Sequence, residues 1–172
     1  GNYGTNDYWI VKLDANGGKQ WETNYGGSAD DRLYSIAPTS DGGYILGGSS
    51  ASGVSGNEAS GNFGSYDYWL VKVDANGGKQ WETNYGGTSD DRLYSITPTS
   101  DGGYILGGYS FSGASGNKTS GSFGGADYWV VKVDVNGGKQ WEASYGGAGY
   151  DTLYNLAPTV FSGTGPNAAG VA

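Results

Sequence analysis

The sequence contains no cysteine, no histidine and no methionine among its 172 residues. It therefore offers no disulfide, no thiol nucleophile, no imidazole base and none of the usual zinc ligands. Proline is scarce, with four residues, which argues against a proline-rich linker. No apolar run approaches the roughly 20 residues that a membrane-spanning helix requires, so membrane insertion is not expected.

Basic and aliphatic residues are also few. Nine lysines and arginines stand against seventeen aspartates and glutamates, for a net charge of −8. Such a surface repels phosphate backbones, so nucleic acid is not an expected partner. Leucine, isoleucine, valine and phenylalanine make up only about 16% of the chain, a level typical of disordered proteins. Six tryptophans and 15 tyrosines indicate instead a folded, aromatic core, and the 35 glycines suit tight turns better than helices.

A sixty-residue repeat organises the chain. The segment DYW-hydrophobic-VK-hydrophobic-D-x-NGGKQWE starts three times, at Asp7, Asp67 and Asp127. Residues 7–66 and 67–126 differ at 13 of 60 positions, and 8 of these lie between residues 49 and 66. The third copy follows the pattern as far as Thr159 and then departs from it, and residues 160–172 have no interpretation.

Four short segments of each repeat carry strand signals. In the first repeat they are residues 8–14, 19–25, 33–39 and 44–50. An Asn-Gly pair ending at Gly17 and an Asp-Gly pair ending at Gly42 predict two hairpins with type I′ turns, in which both central residues have positive φ. A short loop at 26–32 and a long loop at about 51–66 connect the hairpins, and helical periodicity is missing throughout.

The strand YWIVKL has no polar face. Trp9, Val11 and Leu13 point to one side, and Tyr8 and Ile10 to the other, so each sheet is expected between two neighbouring sheets. This pattern predicts an all-β, β-propeller-type fold with four antiparallel strands per sixty-residue blade and about three blades. A parallel β-solenoid is the main alternative. The expected units are the C-terminal half of a blade at 1–27, full blades at 28–87 and 88–147, and the N-terminal half of a blade with the divergent tail at 148–172.

Two motifs carry a resemblance to known propellers. The stretch VKLDANGGKQW, residues 11–21, resembles the tryptophan-docking motif of quinoprotein-type propellers. The whole unit has a D-x-W strand, a W-x-x-x-Y-G-G strand and a D-G-G-Y turn, and it resembles the sixty-residue β-propeller repeats of secreted and surface proteins of bacteria. The resemblance implies an extracellular or cell-surface location and a tryptophan wedged between adjacent blades. By this match the wedges are Trp21, Trp81 and Trp141.

A second set of tryptophans is expected in the core between blades, with sugar stacking as the alternative. These are Trp9, Trp69 and Trp129. The sequence lacks the residues that a quinone needs, so no cofactor is expected. The turn at Asp14 has some similarity to a calcium loop but lacks its later carboxylates, and a hairpin turn is the better interpretation.

The loop end of each blade is the candidate binding face, because loops on a rigid scaffold often carry function. The candidate ligand-binding residues are Asp31, Asp91, Asp151, Tyr66, Tyr109, Phe111, Phe63 and Phe123. In the triplet Asp30-Asp31-Arg32 the paired carboxylates suit a cation site or a glycosidase, whereas an Asp–Arg ion pair would only fix the loop.

Three blades are fewer than the roughly four to eight of a closed propeller, so two apolar faces would stay uncovered. They are expected to be covered by further repeats of a longer chain or by other copies of this one, in a closed ring or a head-to-tail filament. The sequence favours a non-enzymatic extracellular or surface module for adhesion, display or self-assembly. A lectin-like propeller that binds glycans through its loop aromatics is the alternative, and a carboxylate glycosidase is a third hypothesis.

Overall fold

A computed structural model describes residues 1–157 of the chain. This part has ten strands and no helix. The strands are β1 (Tyr8–Leu13), β2 (Lys19–Tyr25), β3 (Asp31–Pro38), β4 (Tyr44–Ser50), β5 (Asp67–Val73), β6 (Lys79–Tyr85), β7 (Asp91–Pro98), β8 (Tyr104–Ser110), β9 (Asp127–Val133) and β10 (Lys139–Tyr145). The prediction of an all-β repeat fold is confirmed.

The strands form three antiparallel sheets in which neighbours in sequence are neighbours in space. β1 pairs with β2, β3 to β6 form one four-stranded sheet, and β7 to β10 form a second. In each four-stranded sheet the two hairpins are joined by pairing across the long loop, β4 with β5 and β8 with β9. The four antiparallel strands predicted for each repeat are therefore present.

Residues 151–157 follow β10 and lie against the second four-stranded sheet. Leu156 N donates to Ser95 Oγ at 3.1 Å, and one period earlier Ile96 N donates to Ser35 Oγ at the same distance. The segment 151–157 thus docks on its preceding sheet as β7 docks on the sheet before it. The described chain repeats one sheet-to-sheet contact along its length.

The core lies between the sheets and covers both faces of the central one. All seven residues of β5 are buried. Tyr8 of β1 packs on Trp69 of β5 with ring centroids 4.6 Å apart, and its hydroxyl donates to the carbonyl oxygen of Trp69 at 2.9 Å. Tyr68 and Trp129 repeat this contact one period later. Aromatic pairs of this kind join each sheet to the next, as the composition predicted.

The hairpin turns differ from the type I′ prediction. Positive φ occurs at Gly17 (83°) and Gly42 (82°), and no non-glycine residue of the described chain has it. Gly17 N donates to Asp14 O at 3.1 Å, and Asp14 N donates to Gly18 O at 2.8 Å. The loop therefore has three residues and one left-handed glycine, the geometry of a turn that ends in a glycine bulge. The type I′ prediction was wrong because this longer loop needs positive φ only at its last position.

A β-bulge interrupts the first strand of each four-stranded sheet. Leu33 and Ser35 pair with adjacent glycines of β4, which leaves Tyr34 as the extra residue. Tyr94 has the same place in β7. β7 contacts β3, β4 and β5 of the preceding sheet, and the two bulge tyrosines meet across that contact with ring centroids 4.9 Å apart.

Candidate functional site

The short and long loops of each repeat pack on each other at one end of the sheets. Gly26 N donates to Asn57 Oδ1 at 2.9 Å, and Ala29 N donates to Ser52 Oγ at 2.9 Å. The same bonds recur sixty residues later. Side chains of the long loop thus accept hydrogen bonds from main-chain N–H groups of the short loop. We call this hydrogen-bonded end of the sheets the polar layer.

The three predicted aspartates lie at the base of this layer. Asp31 accepts hydrogen bonds from the main-chain N–H four residues earlier, at 2.7 Å, and from Ser52 Oγ, at 3.0 Å. Asp91 makes the equivalent bonds, and Asp151 keeps the main-chain one at 2.8 Å. Asp31 and Asp91 are fully buried, and burial raises the pKa of Asp91. These hydrogen bonds hold the loops together, and the three aspartates belong to three successive repeats.

A second aspartate faces each of these anchors, and it is half-buried at Asp7 and buried at Asp67 and Asp127. The carboxylates of Asp67 and Asp91 both lie close to Gly86, where an added side chain would collide with them. Burial, and to a lesser degree the charge of Asp91, raises the pKa of Asp67 to about 6. The Oδ1 atoms of both carboxylates have no hydrogen-bond partner among residues 1–157. The same stretch contains no group of three or more acidic side chains that could hold a metal ion.

The charged triplet of the short loop forms an ion pair. Arg32 Nε lies 2.6 Å from Asp30 Oδ2, and the hydroxyl of Tyr66 donates to the same oxygen at 2.6 Å. The guanidinium of Arg92, from the next repeat, lies 4.1 Å from the centroid of the Tyr66 ring. Tyr66 therefore connects the short loops of consecutive repeats.

Tyr109 and Phe111 belong to a larger group of rings, which we call the aromatic cluster. Its members are Tyr34, Tyr94, Tyr109, Phe111, Tyr150 and Tyr154, with neighbouring ring centroids 4.9 to 5.7 Å apart. Sequence reasoning found two of the six. The available signal was a tyrosine that follows a leucine every sixty residues, at Tyr34, Tyr94 and Tyr154. Tyr34 and Tyr94 are the extra residues of β-bulges, which this signal does not reveal.

The other two loop phenylalanines, Phe63 and Phe123, differ in their surroundings. Phe63 packs beside Gly116 of the following long loop, just as Tyr3 packs beside Gly56. Phe123 is exposed, since the described chain has no further long loop for it to cover. Phe63 thus contacts the following repeat, and its ring contributes to the packing between repeats.

Two of the three wedge tryptophans lie between consecutive sheets. Trp21 Nε1 donates to the carbonyl oxygen of Ala75 in the next sheet at 3.1 Å. Trp81 packs against Gly137 of the sheet that follows it. Trp141 is exposed, and no later sheet lies beside it in the described chain.

The strand tryptophans differ in exposure in the same way, but here the exposed residue is the first of the three. Trp69 and Trp129 are 0% exposed, whereas Trp9 is 66% exposed. The two buried residues each pack against a tyrosine of the preceding sheet, whereas no sheet precedes that of Trp9 within residues 1–157. Exposure in both sets follows from position in the array and not from residue type.

One buried position of the long loop was missed by sequence reasoning. Glu58 is 3% exposed, its oxygens lie 2.9 and 3.1 Å from Ser50 Oγ, and burial raises its pKa to about 9. In the next repeat Lys118 occupies the position, donates to the carbonyl oxygen of Ser120 at 2.7 Å, and has its pKa lowered by burial. A change from glutamate to lysine normally indicates an exposed site, so the sequence held no signal for this burial.

Comparison with known proteins adds no family. The chain matches no protein-family model and shows no significant similarity to any curated protein. Residues 1–157 include no helix that could cross a membrane. Function has to be inferred from the loops, the aromatic cluster and the two end sheets.

Proposed function

We propose that this chain is a non-enzymatic repeat module that works by self-association, in adhesion, display or assembly outside the cell or at its surface. The proposal depends on two surfaces. The N face is the outer side of the β1–β2 sheet, with Trp9, Leu13 and Gly17. The C face is the outer side of the sheet β7 to β10, with Tyr128, Trp141 and Tyr145.

The exposure of Trp9 carries the proposal. Its two counterparts, Trp69 and Trp129, are completely buried between sheets, and Leu13 is likewise exposed where Val73 and Val133 are buried. A buried aromatic side chain covers roughly 150–250 Å² of apolar surface, so an uncovered face of this kind is costly in water and typical of an interaction site. Further repeats of a longer chain, or another copy of this chain, would cover this face.

Light scattering after size-exclusion chromatography tests the proposal. We expect assemblies whose mass is a multiple of the 17.8 kDa chain and grows with protein concentration. Because each copy carries a net charge of −8, added salt should strengthen association by screening repulsion. A compact monomer at all micromolar concentrations, with or without salt, would refute self-association.

The location outside the cell is supported by the resemblance of the repeats to those of secreted and surface proteins. It has its own test. Protease added to intact producing cells should degrade the protein, while a cytoplasmic marker stays intact. Protection equal to that of the marker would contradict this part of the proposal.

Glycan binding is a second candidate, and the aromatic cluster favours it. Tyr150 and Tyr154 are exposed beside the half-buried Tyr109 and Phe111, so ring surface is available to stack on a sugar. A glycan array should then give binding that Phe111→Ala abolishes. Binding of no glycan by the unchanged protein would rule the candidate out.

A carboxylate glycosidase receives less support. Asp31 and Asp91 are buried and hydrogen-bonded within the loops, and each stands in a different repeat. Paired catalytic carboxylates must instead flank one scissile bond, about 5 to 9.5 Å apart. Hydrolysis of a glycoside that is lost in Asp31→Asn would restore the hypothesis.

A further inference from the structure

We propose that two copies associate head to tail, with the C face of one on the N face of the other, in the register of the internal repeats. This inference rests on the proposed self-association and specifies its geometry. The partner is a second copy because the residues that cover each sheet inside the chain are the same residues that the end faces leave exposed.

The C face exposes two tyrosines, Tyr128 and Tyr145. In the earlier repeats the hydroxyls of their counterparts donate hydrogen bonds to the following sheet. The counterparts of Tyr128 donate to the carbonyl oxygens of Trp69 and Trp129. Tyr145 is 60% exposed, whereas its counterparts Tyr25 and Tyr85 are 4% exposed and donate to carbonyl oxygens of turn glycines. Each exposed tyrosine on the C face therefore has a defined acceptor in the next sheet.

The N face presents the matching acceptors. Trp9 stands where Trp69 stands, with an exposed ring and the carbonyl oxygen that Tyr128 would reach. At Gly17 an added Cβ would meet nothing within 4 Å, whereas at Gly77 it would meet the ring of Trp21 at 3.0 Å. The empty space over Gly17 is the place that Trp141 of another copy would fill.

Strand alternation excludes an equivalent contact between two N faces. Tyr8 and Trp9 are adjacent in β1, so their side chains lie on opposite faces of the sheet. The N face thus carries the tryptophan and the C face carries the tyrosine that packs on it. The contact is heterologous, and it forms a ring if it closes or a filament if it does not.

Two variants that each block one face test the geometry. Trp9→Glu places a carboxylate on the N face, and Tyr145→Glu combined with Trp141→Glu does so on the C face. All three residues are exposed in the single chain, so the fold should persist, which near-ultraviolet circular dichroism verifies. Val54→Glu, on the exposed long loop, is the matched control and should assemble like the unchanged protein.

Each blocked variant alone should be monomeric, and an equimolar mixture should give a heterodimer with twice the monomer mass. That mixture pairs the intact C face of one variant with the intact N face of the other. If one variant still forms homodimers, or if the mixture stays monomeric while the unchanged protein assembles, head-to-tail docking is overturned and self-association is retained. If the unchanged protein itself fails to assemble, both proposals are wrong.

Discussion

The buried Glu58 makes the stability of the fold depend on pH near neutrality. Its pKa is raised to about 9 by burial, with smaller contributions from the charges of Asp31 and Glu82, which the ammonium of Lys79 opposes. Tyr8 also faces this carboxyl group and stays neutral because burial raises its pKa well above 10.0. The fold therefore holds Glu58 as a neutral acid at pH 7.

The sign and size of the effect follow from proton linkage. Between the ordinary pKa of 4.5 and the folded value of about 9, the unfolded chain has lost the proton and the folded chain keeps it. The free energy of unfolding then falls as pH rises, by at most about 1.4 kcal/mol per pH unit. From pH 6 to pH 8 the loss is up to about 2.7 kcal/mol, and it is complete only above the folded pKa.

Urea unfolding followed by tryptophan fluorescence measures this loss. Glu58→Gln keeps the size and hydrogen-bonding capacity of the side chain but cannot ionise, so its curve between pH 6 and pH 8 should be flatter than that of the unchanged protein. Asp67, with a pKa of about 6, titrates in both proteins and cancels in the comparison. Glu22→Gln removes an exposed carboxylate whose pKa is lowered, chiefly by its hydrogen bond to Lys19, and should leave the slope unchanged. Equal slopes for Glu58→Gln and the unchanged protein, at one protein concentration, would show that Glu58 is ionised in the fold.

Two further predictions use the chain's own repeats as controls. Tyr85→Phe removes the hydroxyl that donates to Gly137 and should lower the free energy of unfolding by about 1–2 kcal/mol in urea titrations, whereas Tyr145→Phe, exposed in the single chain, should cost almost nothing under monomeric conditions. Trp69→Ala empties a fully buried site and should cost about 3–5 kcal/mol, while Trp9→Ala should change monomer stability little; similar losses for the two would contradict the assignment of Trp9 to an uncovered face.

Much of the fold could be predicted because each weak strand or turn signal recurs in every sixty-residue repeat. Two apolar faces on the strand that starts at Tyr8 predicted sheets covered on both sides, and the buried β5 has that environment. The turn glycines Gly17 and Gly42 marked the hairpins correctly. Turn type was not predictable from the Asn-Gly and Asp-Gly pairs, because loop length decides which residue takes positive φ, and one extra residue changes it.

The candidate site was less accessible to sequence reasoning. Asp31 and Asp91 look like ligand-binding carboxylates in the sequence, but their burial depends on serines from a loop about twenty residues away. The aromatic cluster depends on the bulge at Tyr34, and bulges leave little trace in composition. Contacts between distant segments decide both cases, and a single sequence does not contain them.

Near-identical repeats leave the side chains of an interior sheet contact on both end sheets of residues 1–157. Repeat proteins that stay monomeric in water have terminal units whose outer side is polar, since an interior surface at the end of the array would remain uncovered. Here the outer units keep interior residues, with Trp9 at one end and Trp141 at the other. Most sequence changes between the first two repeats lie in the long loops, and a change on these surfaces such as Leu13 for Val73 keeps the side chain apolar. The proposed association would therefore use the same kinds of contact that join the sheets inside the chain, with Tyr128 on Trp9 in place of Tyr8 on Trp69.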